Sequence, residues 1–453
     1  MTRWARNDRR THSSAGADPS VSVSSAFGAR FPVVVMAQVA EFLYSPSELH
    51  RGATFRVFFW MLAIAAILGH RAYAPILLAP LAAIDWRHAY YSRHATFRSV
   101  DRRWVAYFCA AGVFSIYTAV SALWSPLPMQ ADWALRLGAC FLIAPVSFHS
   151  VGYLTPATRE RAAAAVAWAT LAMLLLLTFE AATNAAIRQA LPPEETVARD
   201  FISLGRGTLL LVLLVWPARR IFAERLKRPW LGWLLVVAAT YPALKFSIVT
   251  NAAMLAAGFI AYWAARAFGR SVAASIFAMA AVLIWATPMA AVMLDAQSAY
   301  EALPWLPDSW AQRLFIWERA GDAIAAHPFG GGVEYARAIS RPIDAVSING
   351  VALNTMPLHP HNLILHVWMD LGVVGALCLC GFLFAGWRGL SHVGDRHEDL
   401  ATAAAVAAAI LVTAMTEWSV WQVWRFAAVW IALMAIRLAS GPAPASHFVR
   451  PGL

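Results

Sequence analysis

The sequence predicts an all-α polytopic membrane protein, on three observations: a composition too apolar for a soluble domain, about twelve successive apolar runs, and loop charges that alternate in density between them. Hydrophobic residues make up 60% of the 453 and charged residues only 13%, with 21 Trp, far from the balance of an ordinary soluble domain. The formal charge of +11 does not point to nucleic acid, because the basic residues fall in short loops between apolar runs and not along one soluble face. Cys109, Cys140, Cys378 and Cys380 all lie inside apolar runs. None has the paired spacing of a disulfide frame or a zinc site, so they read as packing residues.

Residues 1–50 read as a cytoplasmic or interfacial tail. Arg3, Arg6, Arg9, Arg10 and Arg30 stand there among Ser, Thr and Gly with no apolar core, which predicts disorder and no cleavable signal peptide. A run at 31–44 is too brief to cross and is expected to lie at the interface. The spans then fall near 54–69, 72–86, 104–123, 134–153, 161–182, 203–217, 230–244, 250–268, 272–294, 362–387, 399–416 and 419–438. This gives a bundle of about nine spans over 51–294, a loop domain at 295–361, about three further spans over 362–440, and a tail at 441–453. Several runs are shorter than the roughly 20 residues of a full crossing, so some must be broken or borrow flanking residues.

Loop charge sets the orientation. With an even number of spans both termini share a side, and the five short loops on that side hold sixteen Arg and Lys, against four on the other: Arg71, Arg188, Arg199 and Lys245. The bias predicts cytoplasmic termini. The 295–361 segment then lies outside, and within it Trp310, Arg313, Leu314, Trp317 and Ile324 share one face of an expected amphipathic helix. Pro328 ends that helix, Phe329-Gly330-Gly331-Gly332 makes a tight turn, and the remainder to Met356 reads as irregular.

Five basic residues stand where orientation disfavours them: Arg136, Arg206, Lys245, Arg313 and Arg425. Each alone reads as a snorkelling anchor or a salt bridge with an outer carboxylate such as Asp132, Asp200 or Glu417. As a set on one membrane face they ask for a common cause, and an anionic ligand is one, since guanidinium forks fit phosphate oxygens. The same face carries His359, His361 and His366. Pro360 suits a first helical turn, so His361 and Asn362 are expected at a helix amino-terminus, where a neutral imidazole that can accept a proton is favoured. His366 is expected to bond Asp370 one turn on, and Gly372 and Gly375 to pack against a neighbouring helix. The three histidines lack the ligand spacing of a metal site.

Arg313-Leu314-Phe315-Ile316-Trp317, then His327-Pro328-Phe329-Gly330-Gly331-Gly332, then His361-Asn362 leading into Leu371-Gly372-Val373-Val374-Gly375, together resemble the O-antigen ligase and polymerase superfamily. That resemblance implies a GT-C-like membrane fold with one large periplasmic loop. It also implies transfer of a glycan from undecaprenyl diphosphate to the lipid A-core oligosaccharide at the periplasmic face of a Gram-negative inner membrane. By position it makes His361 the general base and Arg313 the loop arginine, with Trp317 and Asn362 in support. Lys245 stands where the family usually has a Ser-Arg pair, within Leu244-Lys245-Phe246-Ser247, and Arg136 and Arg206 match by span position. No Asp-x-Asp occurs on the outer face, so basic residues are expected to do the work of a divalent metal, with no cofactor. An O-antigen polymerase, using a lipid-linked acceptor, and a protein O-oligosaccharyltransferase fit the same residues. A lipid-linked glycan flippase fits less well, because the charges gather at one face and no inverted repeat is visible.

Overall fold

The computed structural model describes residues 47–86, 102–127, 132–191, 197–246, 248–340, 345–390 and 396–440. Most of the amino-terminal tail, the carboxy-terminal tail and several loop arginines, Arg87, Arg93 and Arg98 among them, lie outside the described residues. Leu43–Leu453 forms one compact unit.

The chain is predominantly helical. The long helices are α1 (Glu48–Leu68), α2 (Arg102–Ser121), α3 (Asp132–Ser150), α4 (Pro156–Ala182) and α5 (Val197–Glu224). Then come α6 (Pro229–Ala238), α7 (Thr240–Lys245), α8 (Thr250–Phe268), α9 (Arg270–Val292), α10 (Ala296–Ala302), α11 (Asp308–Ala326) and α12 (Tyr335–Ile339). The hairpin β1 (Ala345–Ile348) and β2 (Val351–Asn354) precedes α13 (Leu363–Leu390), α14 (His397–Thr416) and α15 (Val423–Ala439).

Among the described residues eight helices are long and apolar enough to cross a membrane: α1 to α5, α9, α13 and α14. They match eight of the twelve runs expected. The other four differ for local reasons. The 72–86 run is a series of short helical turns, His70–Ala72, Tyr73–Ile76 and Ala79–Ala83, because Pro75 and Pro80 remove amide donors that a continuous helix needs. The 230–244 run is split at Ala239 into α6 and α7, of ten and six residues. Helix α8 has 19 residues but, with Asn251 and Arg266 within it, does not reach the hydropathy of the eight, and α15 has 17.

Helix α5 is the axis. Leu209 to Trp216 are all nearly inaccessible, as expected of a helix that is hydrophobic all round. Of its apolar stretch 83% is buried, against 17% in α9, which therefore lies at the periphery. At one end α5 continues past Pro217 as far as Glu224, so Arg219 and Arg220, expected in a loop, are instead 4% and 0% exposed. They pair with Glu398 and Asp399 at the start of α14, and Glu398 also takes Arg266 and the Tyr262 hydroxyl. Buried cations persist where charge and hydrogen bonds are matched in this way.

The opposite end of the bundle carries the 295–361 segment. Helix α11 is present, rotated from expectation: Ala311, Phe315, Ile316, Ala320 and Ile324 are buried, with Trp310 at its edge under Arg313. Small residues decide the rotation, because a Cβ on Gly321 would come within 2.2 Å of the Ala291 carbonyl, so this face meets α9. The expected irregular remainder contains α12 and an antiparallel hairpin with Ile348 opposite Val351. Asn349 and Gly350 take positive φ of 50° and 80°, the backbone that a two-residue hairpin turn requires. The hairpin is the one departure from an all-helical chain among the described residues.

The Gly-rich turn docks into a break in α13. Gly372 has φ 56° and ψ −150°, a conformation open essentially to glycine alone. There the Gly331 and Gly332 amides donate to the Met369 and Asp370 carbonyls at 2.8 and 3.0 Å, and the Val373 amide donates to Pro328 at 3.0 Å. A Cβ on Gly372 would lie 2.3 Å from the Phe329 carbonyl carbon. Gly372 thus serves a turn and not the neighbouring helix expected, and a Cβ on Gly375 would meet Val367 and Leu371 of its own helix. Gly372→Ala is expected to lose about 3 kcal/mol or more, whereas Gly389→Ala, where nothing lies within 4 Å, should be near neutral. Thermal unfolding of the two purified variants checks the contrast.

Candidate functional site

Helix α13 begins at Leu363, so His361 precedes the helix and does not form its first turn. Asn362 is the cap, its Oδ1 accepting from the Ile364 amide at 2.9 Å and the Leu365 amide at 3.1 Å. That satisfies two of the amides a helix start leaves open. His361 takes φ 52°, a left-handed turn that His tolerates better than most side chains. Two contacts fix the turn: the Trp317 indole donates to the Pro360 carbonyl at 3.2 Å, and the His361 amide donates to His359 Nδ1 at 3.2 Å.

The ring of His361 meets a carboxylate that the sequence offered only as one of several candidate partners. Its Nδ1 is 3.5 Å from Glu417 Oε2, longer than a formed hydrogen bond and of the length that tightens when a substrate binds. Arg313 Nη2 reaches the same Oε2 at 3.5 Å, and Arg425 Nη2 reaches Oε1 at 3.9 Å. Burial alone raises the pKa of Glu417, but His361, Arg425 and Arg313 outweigh it and hold the carboxyl below the ordinary value. Burial likewise pulls Arg313 down from its usual value, with Glu417 opposing.

The other histidines divide cleanly. His366 is 1% exposed, accepts from the Val420 amide on Nδ1 at 3.4 Å, and turns Nε2 to Asp370 at 3.3 Å, the i,i+4 contact expected. His359 lies between the two, 4.4 Å from His361 and 6.0 Å from His366 between ring centres. Although His359 is not fully inaccessible, its surroundings desolvate it and His361, His366, Arg425 and Arg206 repel a proton, which holds it well below the usual histidine value. A neutral His359 is what its Nδ1, accepting from His361, requires.

Arg136 and Arg206 line a cavity of about 680 Å³ together with His70, Arg71, Trp421 and Trp424. Arg136 pairs with Asp132 at 2.8 Å and stays 60% exposed, a contact worth little in water. Arg206 lies well inside α5 and not near its start, with Nη1 3.4 Å from His70 Nε2. Arg425, expected two turns into its span, is in the first turn of α15 and 1% exposed. It donates to Gln422 Oε1 and Thr413 Oγ1 at 2.5 and 2.7 Å, and Gln422 is itself part of the cavity wall. Four of the five basic residues therefore fall in two adjoining groups, one around Glu417 and one around the cavity. Lys245 does not join them: it is exposed at the end of α7 and makes no ion pair among the described residues. His70, Arg71 and Glu417 were not singled out from sequence. Arg71 was counted as a loop charge, and Glu417 as one of many outer carboxylates.

The site of this multi-pass membrane protein thus combines a histidine beside a carboxylate, two arginines on that carboxylate, and an adjoining arginine-lined cavity. Residues 200–380 match the family model described as O-Antigen ligase. Over those residues the chain is similar to the O-antigen ligase family. A stretch of 99 residues is 36% identical to a provisionally named polysaccharide ligase of Rickettsia prowazekii, covering 20% of this chain and 24% of that protein. Another of 115 residues is 29% identical to its counterpart in Rickettsia conorii, covering 24% and 27%. The chain thus spans about a quarter of the length of these relatives. The matched region contains Arg206, Lys245, Arg313, Trp317, His361 and Asn362, while Arg136, Glu417 and Arg425 lie outside it.

Glu417→Gln is expected to destabilise the protein by about 2 kcal/mol at neutral pH, because Arg313 and Arg425 lose their counter-charge. A carboxyl held below its ordinary value stabilises the fold above that value and stops doing so as pH falls through the lowered one. The difference between wild type and variant should therefore close below the ordinary glutamate value of 4.5. Melting curves of both proteins at pH 7 and at successively lower pH test this; a constant offset across the range contradicts it.

Proposed function

We propose that the protein transfers an O-antigen glycan from undecaprenyl diphosphate to the lipid A-core oligosaccharide, at the periplasmic face of a bacterial inner membrane. The observation that carries this reading is the 3.5 Å contact of His361 Nδ1 with Glu417 Oε2 beside an arginine-lined cavity. With Nδ1 turned to the carboxylate, Nε2 is the nitrogen left to accept a proton. An acceptor hydroxyl gives that proton to His361 as its oxygen attacks the anomeric carbon. The bond from that carbon to the phosphate oxygen breaks, and the diphosphate departs with the electron pair. Attack from the side opposite the diphosphate inverts the anomeric configuration, and no protein nucleophile is needed.

The leaving group needs positive charge where its own develops, and fixed guanidinium groups meet that need without reorganising. Arg136 and Arg206 in the cavity wall, with Arg425 and Arg313 next to it, are the groups assigned to the diphosphate. Lys245 stands apart from them and is assigned only a peripheral contact with the donor headgroup. Trp317 and Asn362 act indirectly, by holding the turn on which His361 sits. With charge supplied by arginine, transfer is expected to be metal-independent.

Two measurements follow. His361→Ala should reduce transfer from lipid-linked donor to core acceptor by at least 10²-fold, the lower range for a lost general base, while donor binding stays near normal; near-normal turnover removes His361 from the mechanism. Transfer by the wild-type protein should proceed at full rate in EDTA. An EDTA-dependent loss that Mg²⁺ or Mn²⁺ restores would show that arginine alone does not carry the leaving group.

A further inference from the structure

His70 and Arg71 stand in the short helical turn directly after α1, and both line the cavity. His70 is 6% exposed, and its ring meets Trp424 edge-on at 4.7 Å. Its Nε2 faces Arg206 Nη1 at 3.4 Å. A guanidinium only donates, so Nε2 must be the acceptor and the ring proton must sit on Nδ1. That Nδ1 is buried with no hydrogen-bond partner. A phenylalanine would fill the same space against Trp424 without burying an unmet donor, so packing alone does not account for a histidine here.

We infer that His70 is a positioning residue, which holds Arg206 toward the donor's diphosphate by accepting its hydrogen bond, and that Arg71 adds a further guanidinium to the same cavity. The inference rests on the reading of the cavity as the seat of the donor headgroup. Its logic is electrostatic. Arg188, close by, is oriented by Asp200 at 2.8 Å, with both side chains buried, and a carboxylate partner of that kind cancels most of the charge it orients. A neutral imidazole orients a guanidinium without adding a counter-charge of its own. Burial first, then Arg206, Arg71, Arg425 and Arg188, push His70 down to about 3, so its acceptor lone pair persists at every physiological pH. Among the described residues the cavity wall carries Arg71, Arg136 and Arg206 and no carboxylate side chain, with Asp132 pairing Arg136 from outside the wall. What complements such a wall is a ligand rich in acceptors and negative charge, as a diphosphate is. His70 and Arg71 both lie outside residues 200–380.

The test is a thermodynamic cycle on the full-length protein in nanodiscs, with farnesyl diphosphate as the probe and farnesol as the uncharged control. His70→Phe should weaken farnesyl diphosphate binding about tenfold, the equivalent of one charge-assisted hydrogen bond, with farnesol binding and melting temperature unchanged. His70→Gln, whose side-chain carbonyl can accept from Arg206, should recover most of the loss. In an Arg206→Ala background His70→Phe should add nothing, because the histidine then has no arginine to orient. Unchanged binding in His70→Phe, or a full additive loss in the Arg206→Ala background, overturns the assignment. If Arg206→Ala itself leaves farnesyl diphosphate binding unchanged, the cavity is not the donor seat and the inference falls with it, even where His361-dependent transfer survives.

Discussion

Asp370 is the point on which the site's geometry depends. It is fully buried, and its oxygens accept from the Ala336 amide of α12 at 3.0 Å and the Trp421 indole at 2.7 Å, with His366 at 3.3 Å. One carboxylate thus ties the 295–361 segment, helix α13 and the connector between α14 and α15. Two residues on, the break at Gly372 lets the 328–332 turn bond directly to the α13 backbone. Tyr117 and Trp124 close that turn from the other side, donating to the Phe329 and Gly330 carbonyls at 2.6 and 3.1 Å. A buried carboxylate holds such a junction only if every donor around it is aimed inward, since each orphan left behind costs about 1–3 kcal/mol. The relation of His361, on one element, to Glu417, on another, is a consequence of that junction.

Helix α14 connects the two charged ends of the molecule. Glu398 near its start takes Arg219 and Arg266, and Glu417 just past its end faces His361, Arg313 and Arg425. Nineteen residues of helix place the two carboxylates about 28 Å apart, close to the thickness of a hydrocarbon core. At the first end acids and bases are closely matched and most of the arginines are buried, which suits a fixed structural clamp. At the second, one carboxylate faces two arginines and a histidine, and the adjoining cavity adds further guanidinium groups. The imbalance is local, and it distinguishes an end where charges are matched from an end with an excess of positive charge.

Much of this was legible before any coordinates. Composition and long apolar periodicity are strong signals, and the eight helices that meet the length and apolarity of a crossing all coincide with expected runs. The convergence of Arg136, Arg206, Arg313 and Arg425 was legible because a charge placed against the orientation rule is itself a signal. Other features were hidden for physical reasons. A proline-broken run such as 72–86 keeps its hydropathy while losing its helix. The face that α11 buries was set by Gly321 and small alanines, whose effect comes from close backbone approach and not from hydrophobicity. The hairpin could have been read: Asn349-Gly350 between alternating residues is a strong local turn signal, masked here by the expectation of a helical protein. Glu417 had no local signal, since its meaning comes from His361 and Arg313, 56 and 104 positions earlier in the chain.

The arrangement around Glu417 also constrains how the site must work. The two arginines and His361 address the same carboxylate, with Arg313 and His361 sharing Oε2 at equal distances of 3.5 Å. Charge on an arginine that is drawn toward a phosphate is charge withdrawn from Glu417, and a carboxylate less occupied by guanidinium is a better partner for the imidazolium that forms when His361 accepts a proton. On the proposed assignment of His361 as the base and the arginines as donor ligands, the two roles meet at one side chain, Glu417.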